Sequence, residues 1–342
     1  MPVACTSCLD GRAMSELHKF IFDGLPVRGI LVRLTGAWTE ILRRRASNTQ
    51  TGAYPEPVQQ LLGELLAAGV LMQSNIKFDG ALVVQISGDG PVKLAVVEVQ
   101  ADLSLRATAT LLGDVGPQAS MSAMVNLTNR GRCAITLDPK GRFPGQQPYQ
   151  GVVPLFGDRG EKLEKLSDVL QHYMLQSEQL DTTLVLAANH AVAAGLLIQR
   201  LPLQGAGNLA GEKRSMPDED EIGRSEPYNR IAMLASSLKR EELLTLDVDT
   251  ILRRLFWEEG VLRFGPLVGD AAPRFTCSCS REKVGVMIVG LGVLEAESII
   301  AEQGQIEVAC EFCGVQYRFD PIDAAQLFRP VSDLAPGSST QQ

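Results

Sequence analysis

Histidine is scarce in this 342-residue chain: His18, His172 and His190 stand far apart and in no ligand-like spacing. That argues against a catalytic or metal centre built on imidazole, and each histidine is read as structural or surface. Aromatic residues make up only 5%, and Lys and Arg (32) are outnumbered by Asp and Glu (40), for a net charge of −8. A nucleic-acid surface neutralises phosphates with Lys and Arg and stacks bases on aromatics, so nucleic acid is excluded as the main partner. Long apolar runs are missing too. The longest, VGVMIVGLGVL at 284–294, has eleven residues, three of them glycine, against the roughly 20 a membrane span needs. The opening MPVACTSCLDGR lacks the basic start and apolar run of a secretory signal. The expectation is a soluble, cytoplasmic protein without a membrane partner, in a compartment that keeps thiols reduced.

The remaining composition, 45% hydrophobic and 21% charged, is that of a globular chain with room for two or three domains. Residues 57–71 (PVQQLLGELLAAGVL) carry Val58, Leu61, Leu62, Leu65, Leu66 and Val70 at helical period. Runs at 81–86 (ALVVQI) and 93–99 (KLAVVEV) read as strands at hairpin distance, with further strands at 134–137, 151–155, 182–187 and 195–201. Helices mixed with antiparallel strands predict an α+β core rather than a regular βαβ series. No Gly-rich phosphate loop and no internal repeat is found. After Leu203 the Gly- and charge-rich stretch through Pro227 reads as a linker, its acidic run Asp218–Glu221 as a solvated loop. Two amphipathic helices follow, one over about 229–244 and one after Asp249 as N-cap. The expected organisation is therefore an extension over 1–14, a core over 15–203, a helical linker over 204–266, a small cysteine-bearing domain over 267–330 and a tail over 331–342.

Cysteine is also sparse, seven in all, yet four fall in two short stretches: Cys277-Ser-Cys279 and, after thirty intervening residues, Cys310-Glu-Phe-Cys313-Gly314. Two residues between cysteines let both sulfurs reach one ion from a tight turn, and a glycine just after can take the left-handed conformation. The flanks QIEVA and VQYRF make this knuckle a hairpin tip, and the spacer accommodates two short helices, 281–290 and 294–303. Cys277, Cys279, Cys310 and Cys313 are thus expected to hold one zinc ion per chain as four thiolates. About 65 residues make a small core, and a metal can contribute about 10–16 kcal/mol of folding energy. Each pair can also close on itself as a disulfide, the Cys-x-Cys ring being the tighter and more easily reduced.

The Cys277-Ser-Cys279-Ser-Arg-Glu segment, its spacer and Cys310-Glu-Phe-Cys313-Gly resemble the C-terminal redox switch of the bacterial heat shock protein 33 family. Phe22-Asp-Gly-Leu-Pro-Val-Arg-Gly29, Lys77-Phe-Asp-Gly80, Gly88-Asp-Gly-Pro91, Tyr149-Gln-Gly-Val-Val153, Ser177-Glu-Gln179 and Glu241-Glu-Leu-Leu244 resemble family segments in the same order. The likeness runs from about Ser15 to Arg329. It implies an ATP-independent holdase chaperone, inactive when reduced and zinc-bound. Oxidation would form Cys310–Cys313 first and Cys277–Cys279 second, release zinc, unfold the C-terminal domain and loosen the linker. The partners implied are unfolding client proteins, and a second copy in an oxidised homodimer. The apolar faces of the linker helices (Leu234, Leu238, Leu252, Leu255 and Phe256) would then become the client-binding surface.

No catalytic residues are expected: Glu241-Glu242 and Glu258-Glu259 sit on adjacent helical positions that point different ways, and four thiolates close a zinc site against hydrolase or deaminase chemistry. A zinc-ribbon module in a nucleic-acid- or ribosome-associated protein is the alternative function. Nine acidic and five basic residues between Asp270 and Arg329 weigh against it. Cys5-Thr-Ser-Cys8 lies before the family likeness begins and is read as part of a loose extension or of an upstream start. A second metal or redox pair is the alternative there. Cys133 is read as a packing residue.

Overall fold

The computed structural model describes residues 14–48, 51–141, 145, 147–201 and 225–329. The expectations for Cys5 and Cys8, for the linker up to residue 224 and for the C-terminal tail lie outside those residues. The described chain divides into two compact units, the first ending at Thr276 and the second beginning at Cys277.

The first unit opens with β1 (Glu16–Phe22), β2 (Val27–Leu34), α1 (Gly36–Ala46) and α2 (Glu56–Asn75). The strands β3 (Gly80–Ser87), β4 (Val92–Gln100) and β5 (Ser104–Leu111) follow, then α3 (Met121–Val125), β6 (Arg132–Pro139) and β7 (Tyr149–Pro154). It continues through α4 (Leu166–Glu178), β8 (Thr182–Ala188), β9 (Ala193–Arg200), α5 (Glu226–Ser236), α6 (Arg240–Thr245), α7 (Val248–Phe256), β10 (Val261–Arg263) and β11 (Arg274–Phe275). One sheet has the order β10-β1-β2-β9-β8 and the other β11-β5-β4-β3-β6-β7. Every pairing is antiparallel except β11 beside β5. The fold is thus α+β, as the mixed pattern implied.

Helix α2 touches both sheets, and its buried residues surround the axis, from Val58 and Leu62 to Ala67, Ala68 and Leu71. A helix apolar all round is a buried one. The stripe expected over 57–71 is real, but its opposite face is covered as well. The β10-containing sheet is also buried on both faces. Ile30, Val32 and Leu197 face the α2 side, while Leu31, Leu196 and Ile198 face a second cluster. That is why β9 reads as a continuous apolar run rather than an alternation. Close approach sets Gly29 in β2: a Cβ there would stand 2.2 Å from the Phe20 ring.

The second cluster is closed by α5, α6, α7 and the turn between the first two, which contribute Tyr228, Ile231, Leu238, Leu243, Ile251, Leu255 and others. The single helix expected over 229–244 is two, broken at 237–239, where Leu238 turns into the cluster. The N-cap of α7 is Asp247, whose side chain accepts from the Thr250 N–H at 2.9 Å. Asp249 lies in the first turn instead and pairs with Arg263.

The second unit holds α8 (Arg281–Leu291), α9 (Val293–Gln303), β12 (Ile306–Ala309), β13 (Gln316–Phe319) and α10 (Pro321–Leu327). β12 and β13 form an antiparallel hairpin. α8 and α9 meet at Gly292 with a 106° bend, and no single helix among the described residues is long and apolar enough to cross a membrane. The core is small: Ile288, Ala296, Ile306, Phe319 and Ala324 are its buried members.

Candidate metal centre

The Cys277–Cys279 loop leads straight into α8, which starts where the Ser280 hydroxyl accepts from the Lys283 N–H. Arg281 then ties that start to the rest of the unit. Its guanidinium donates to the Arg318 carbonyl (2.6 Å) and to Asp323 (2.7 Å), and it lies over the Phe319 ring. On the other side, the β12–β13 tip carries Cys310 and Cys313. The Cys310 N–H donates to the Val315 carbonyl and the Gly314 N–H to the Cys310 carbonyl. Gly314 has φ +73°, the left-handed conformation the knuckle needs.

These supports bring all four sulfurs within 4.8 Å of one another. Cys277 Sγ is 3.7 Å from Cys310 Sγ, and Cys279 Sγ is 3.3 Å from Cys313 Sγ. Four thiolates at the ~2.3 Å zinc–sulfur distance stand about 3.8 Å apart at tetrahedral corners, so the donors fit such an ion. The short contacts run between the two stretches, so proximity alone does not select a disulfide partner.

The thiols also respond to one another. Burial alone would raise Cys279, but hydrogen bonds from Tyr317 and from the other thiols outweigh it and bring the group down to about 7. Burial pushes Cys313 and Cys277 up; the three neighbouring thiols add to the rise at Cys313, while at Cys277 they act in both directions. Four adjacent sulfurs cannot all lose their protons without a cation among them, and that donor chemistry also fits a metal. The Tyr317 hydroxyl donates to Cys279 Sγ at 3.1 Å. Sequence reasoning missed this residue, although a Tyr-x-Phe step in a strand places both rings on one face, next to the small core.

The other residues singled out from sequence sit elsewhere. Leu238, Leu252, Leu255 and Phe256 are buried, Leu234 is half-buried, and all five pack in the second cluster of the first unit. Phe256 meets Phe22 edge to face, ring centroids 4.9 Å apart, and Phe20 at 6.2 Å. Cys133 is fully buried in β6, and burial pushes its thiol up to about 12, so it is inert packing. The Gly88–Pro91 motif has a structural explanation. Asp89 accepts from the N–H groups of Leu127, Thr128 and Arg130 and from the Thr128 hydroxyl, which pins one loop to another.

The chain as a whole is similar to known proteins. The family model described as Hsp33 protein matches residues 15–320. A 33 kDa chaperonin of Chromobacterium violaceum is 43% identical over 92% of this chain and 93% of its own. One of Methylobacillus flagellatus is 40% identical over 92% and 94%. The crystal structure of the 33 kDa chaperonin (heat shock protein 33 homolog) from Thermotoga maritima superposes with a TM-score of 0.66 at 18% identity, covering 92% of this chain and 97% of that one. At that identity the superposition supports the fold.

Proposed function

The chain belongs to the Hsp33 protein family, a family of chaperones, and from that premise we propose that it is an ATP-independent holdase switched on by oxidation of four zinc-binding cysteines. The observation that carries the reading is the meeting of four sulfurs, from two separate stretches, within 4.8 Å of one another. They lie in a unit whose buried hydrophobic core, among the described residues, has five members. When bound, zinc ties the two stretches together and contributes much of the unit's folding energy.

Peroxide or hypochlorite takes two electrons from each pair of thiolates. One S–S bond forms, peroxide is reduced to two hydroxide ions (or hypochlorous acid to chloride and hydroxide), and two donors are lost. Closing within Cys310–Cys313 and within Cys277–Cys279 joins near neighbours and costs little loop entropy, and the family likeness gives the same pairing. With no donors left, five buried residues do not hold the unit folded. Twenty residues, 257–276, connect it to α7. Its loss frees α5–α7 from the sheet. Leu234, Leu238, Leu252, Leu255 and Phe256, with the sheet face beneath, then become the apolar surface for unfolding clients. A second copy, forming a dimer in the oxidised state, extends that surface, and the cytoplasm is the expected site of action.

The test compares reduced and peroxide-oxidised full-length protein for suppression of light scattering by a chemically denatured enzyme, with disulfides mapped by peptide mass. The expected result is suppression only after oxidation, with both within-pair disulfides present and reversal by reductant. Equal suppression by both forms, or disulfides joining one stretch to the other, would overturn the reading.

A further inference from the structure

The thiols meet hydrogen-bond donors of different kinds. Cys277 receives the backbone N–H of Cys279, and Cys313 receives that of Val315, so each donor lies two residues away on the same loop. Cys279 receives the Tyr317 hydroxyl, 38 residues away on the opposite stretch. Tyr317 is held by its strand. It pairs with Val308 across the hairpin, shares a face with buried Phe319, and is half-buried against the unit's small core. Only two residues separate it from Gly314, which shapes the turn carrying Cys310 and Cys313.

Resting on the redox reading above, we propose that Tyr317 is a positioning residue that shields Cys279 and makes the second disulfide wait for the first. A hydrogen bond donated to a thiolate withdraws charge from sulfur and slows its attack. In that attack the Cys279 sulfur bonds one peroxide oxygen, the O–O bond breaks and hydroxide leaves. Cys277 then attacks the resulting sulfenic acid, forming S–S and expelling a second hydroxide. A disulfide between Cys310 and Cys313 reshapes the turn that fixes the start of β13. The Tyr317 hydroxyl is drawn away from Cys279, which becomes the stronger nucleophile. The two stretches then fire in sequence, and a small oxidant dose halts after one disulfide.

Tyr317→Phe removes the hydroxyl and keeps the ring that packs on the core. If half of one charged hydrogen bond is lost on the way to the transition state, Cys279 reacts about four- to twelvefold faster in the variant. Zinc-loaded full-length protein, wild type and variant, is exposed to peroxide or, separately, to iodoacetamide, and each cysteine's loss is followed by peptide mass. In wild type the Cys277–Cys279 disulfide should lag behind Cys310–Cys313. In the variant the lag should vanish, with the Cys310 and Cys313 rates within twofold of wild type. Cobalt(II)-loaded protein supplies a spectroscopic check: the thiolate-to-metal charge-transfer band should move to lower energy while the ligand-field bands of the tetrahedral ion stay. An unchanged lag, or equal acceleration of all four cysteines, would overturn the assignment, the latter pointing to a loosened fold. The iodoacetamide arm reads the hydrogen bond even where no disulfide forms. A wild type that peroxide leaves reduced would refute the switch itself, while the alkylation rates still decide the role of Tyr317.

Discussion

Replacing Arg33 by Met should loosen the helical layer while leaving the cysteine site untouched. Arg33 stands on β2 with its side chain only 12% exposed, 3.7 Å from Glu16. Its guanidinium donates to the carbonyls of Leu243 and Leu246, both at 2.7 Å, and to that of Leu244 at 3.2 Å. These carbonyls lie at and just past the C-terminal end of α6, where unsatisfied acceptors and the helix dipole both favour a cation. One guanidinium thus fastens the α6–α7 junction to the sheet. Hydrogen bonds to a charged group contribute about 1.5–3 kcal/mol each. Here three share one ion, and carbonyls exposed by local opening can take water, so the expected loss is about 2–4 kcal/mol in total. Met preserves the packing of the aliphatic stem. Each 1.4 kcal/mol is a tenfold change, so the open population of the layer should rise roughly 30- to 700-fold. Hydrogen exchange read by mass spectrometry on reduced, zinc-loaded protein should show peptides from 226–256 exchanging faster by that factor, with β3–β6 and the Cys277–Arg329 segment unchanged. On the proposed function, the reduced variant should also suppress client aggregation in part. Unaltered exchange over 226–256, or uniform acceleration throughout the chain, would refute the reasoning.

Other consequences can be checked more briefly. Stripping the metal with a chelator under reducing conditions should collapse the dispersed NMR signals of 277–329, because the donor set replaces about 10–16 kcal/mol that five buried residues do not supply. Retained dispersion would show that the unit folds on its side chains alone. Phe256→Ala should cost about 3–5 kcal/mol, since the ring is 2% exposed and wedged against Phe20 and Phe22; thermal unfolding of the reduced protein measures it. Glu64 of α2 pairs with Arg240 at 3.1 Å, yet burial outweighs the guanidinium and raises its carboxyl to about 7. The folded state therefore holds this proton more tightly than the unfolded chain does, so its contribution is fully present below about pH 4 and lost as pH rises through 7. Across that window the difference is about 3 kcal/mol. Denaturant titrations of Glu64→Gln from pH 4 to 8 should lose this part of the slope, and a slope equal to wild type would refute the assignment.

Much of the candidate site was legible in the sequence because its chemistry is local. Two residues between Cys310 and Cys313 and a glycine after them specify a turn whatever surrounds it, and the structure places Gly314 at φ +73°. The helix over 57–71 was legible for the same reason: period is a property of neighbours. What could not be read depends on partners distant in the chain. The break between α5 and α6 contains neither Gly nor Pro and arises because Leu238 turns into a cluster built from strands 40 or more residues earlier. Asp247 rather than Asp249 caps α7 because Thr250 is within reach of the first, a choice that a D-V-D sequence leaves open. Arg28 and Arg33 interrupt the apolar pattern of β2, and their reasons lie elsewhere. Arg28 bonds Gln199 and Asn75, and Arg33 reaches carbonyls more than 200 residues away. Tyr317 belongs with these. Its strand was legible, but the sulfur it touches was not.

The central claim, that losing the metal and gaining client binding are one event, is tested most directly in a single cuvette. Zinc-loaded protein is oxidised with peroxide at mild heat-shock temperature beside a chromogenic chelator. Aliquots taken through the reaction are challenged with a denatured client. The account predicts one zinc released per chain, with suppression of aggregation rising in proportion to release and falling again when reductant and zinc are restored. Complete zinc release with no rise in suppression at any time would contradict it and leave the four cysteines a structural site only.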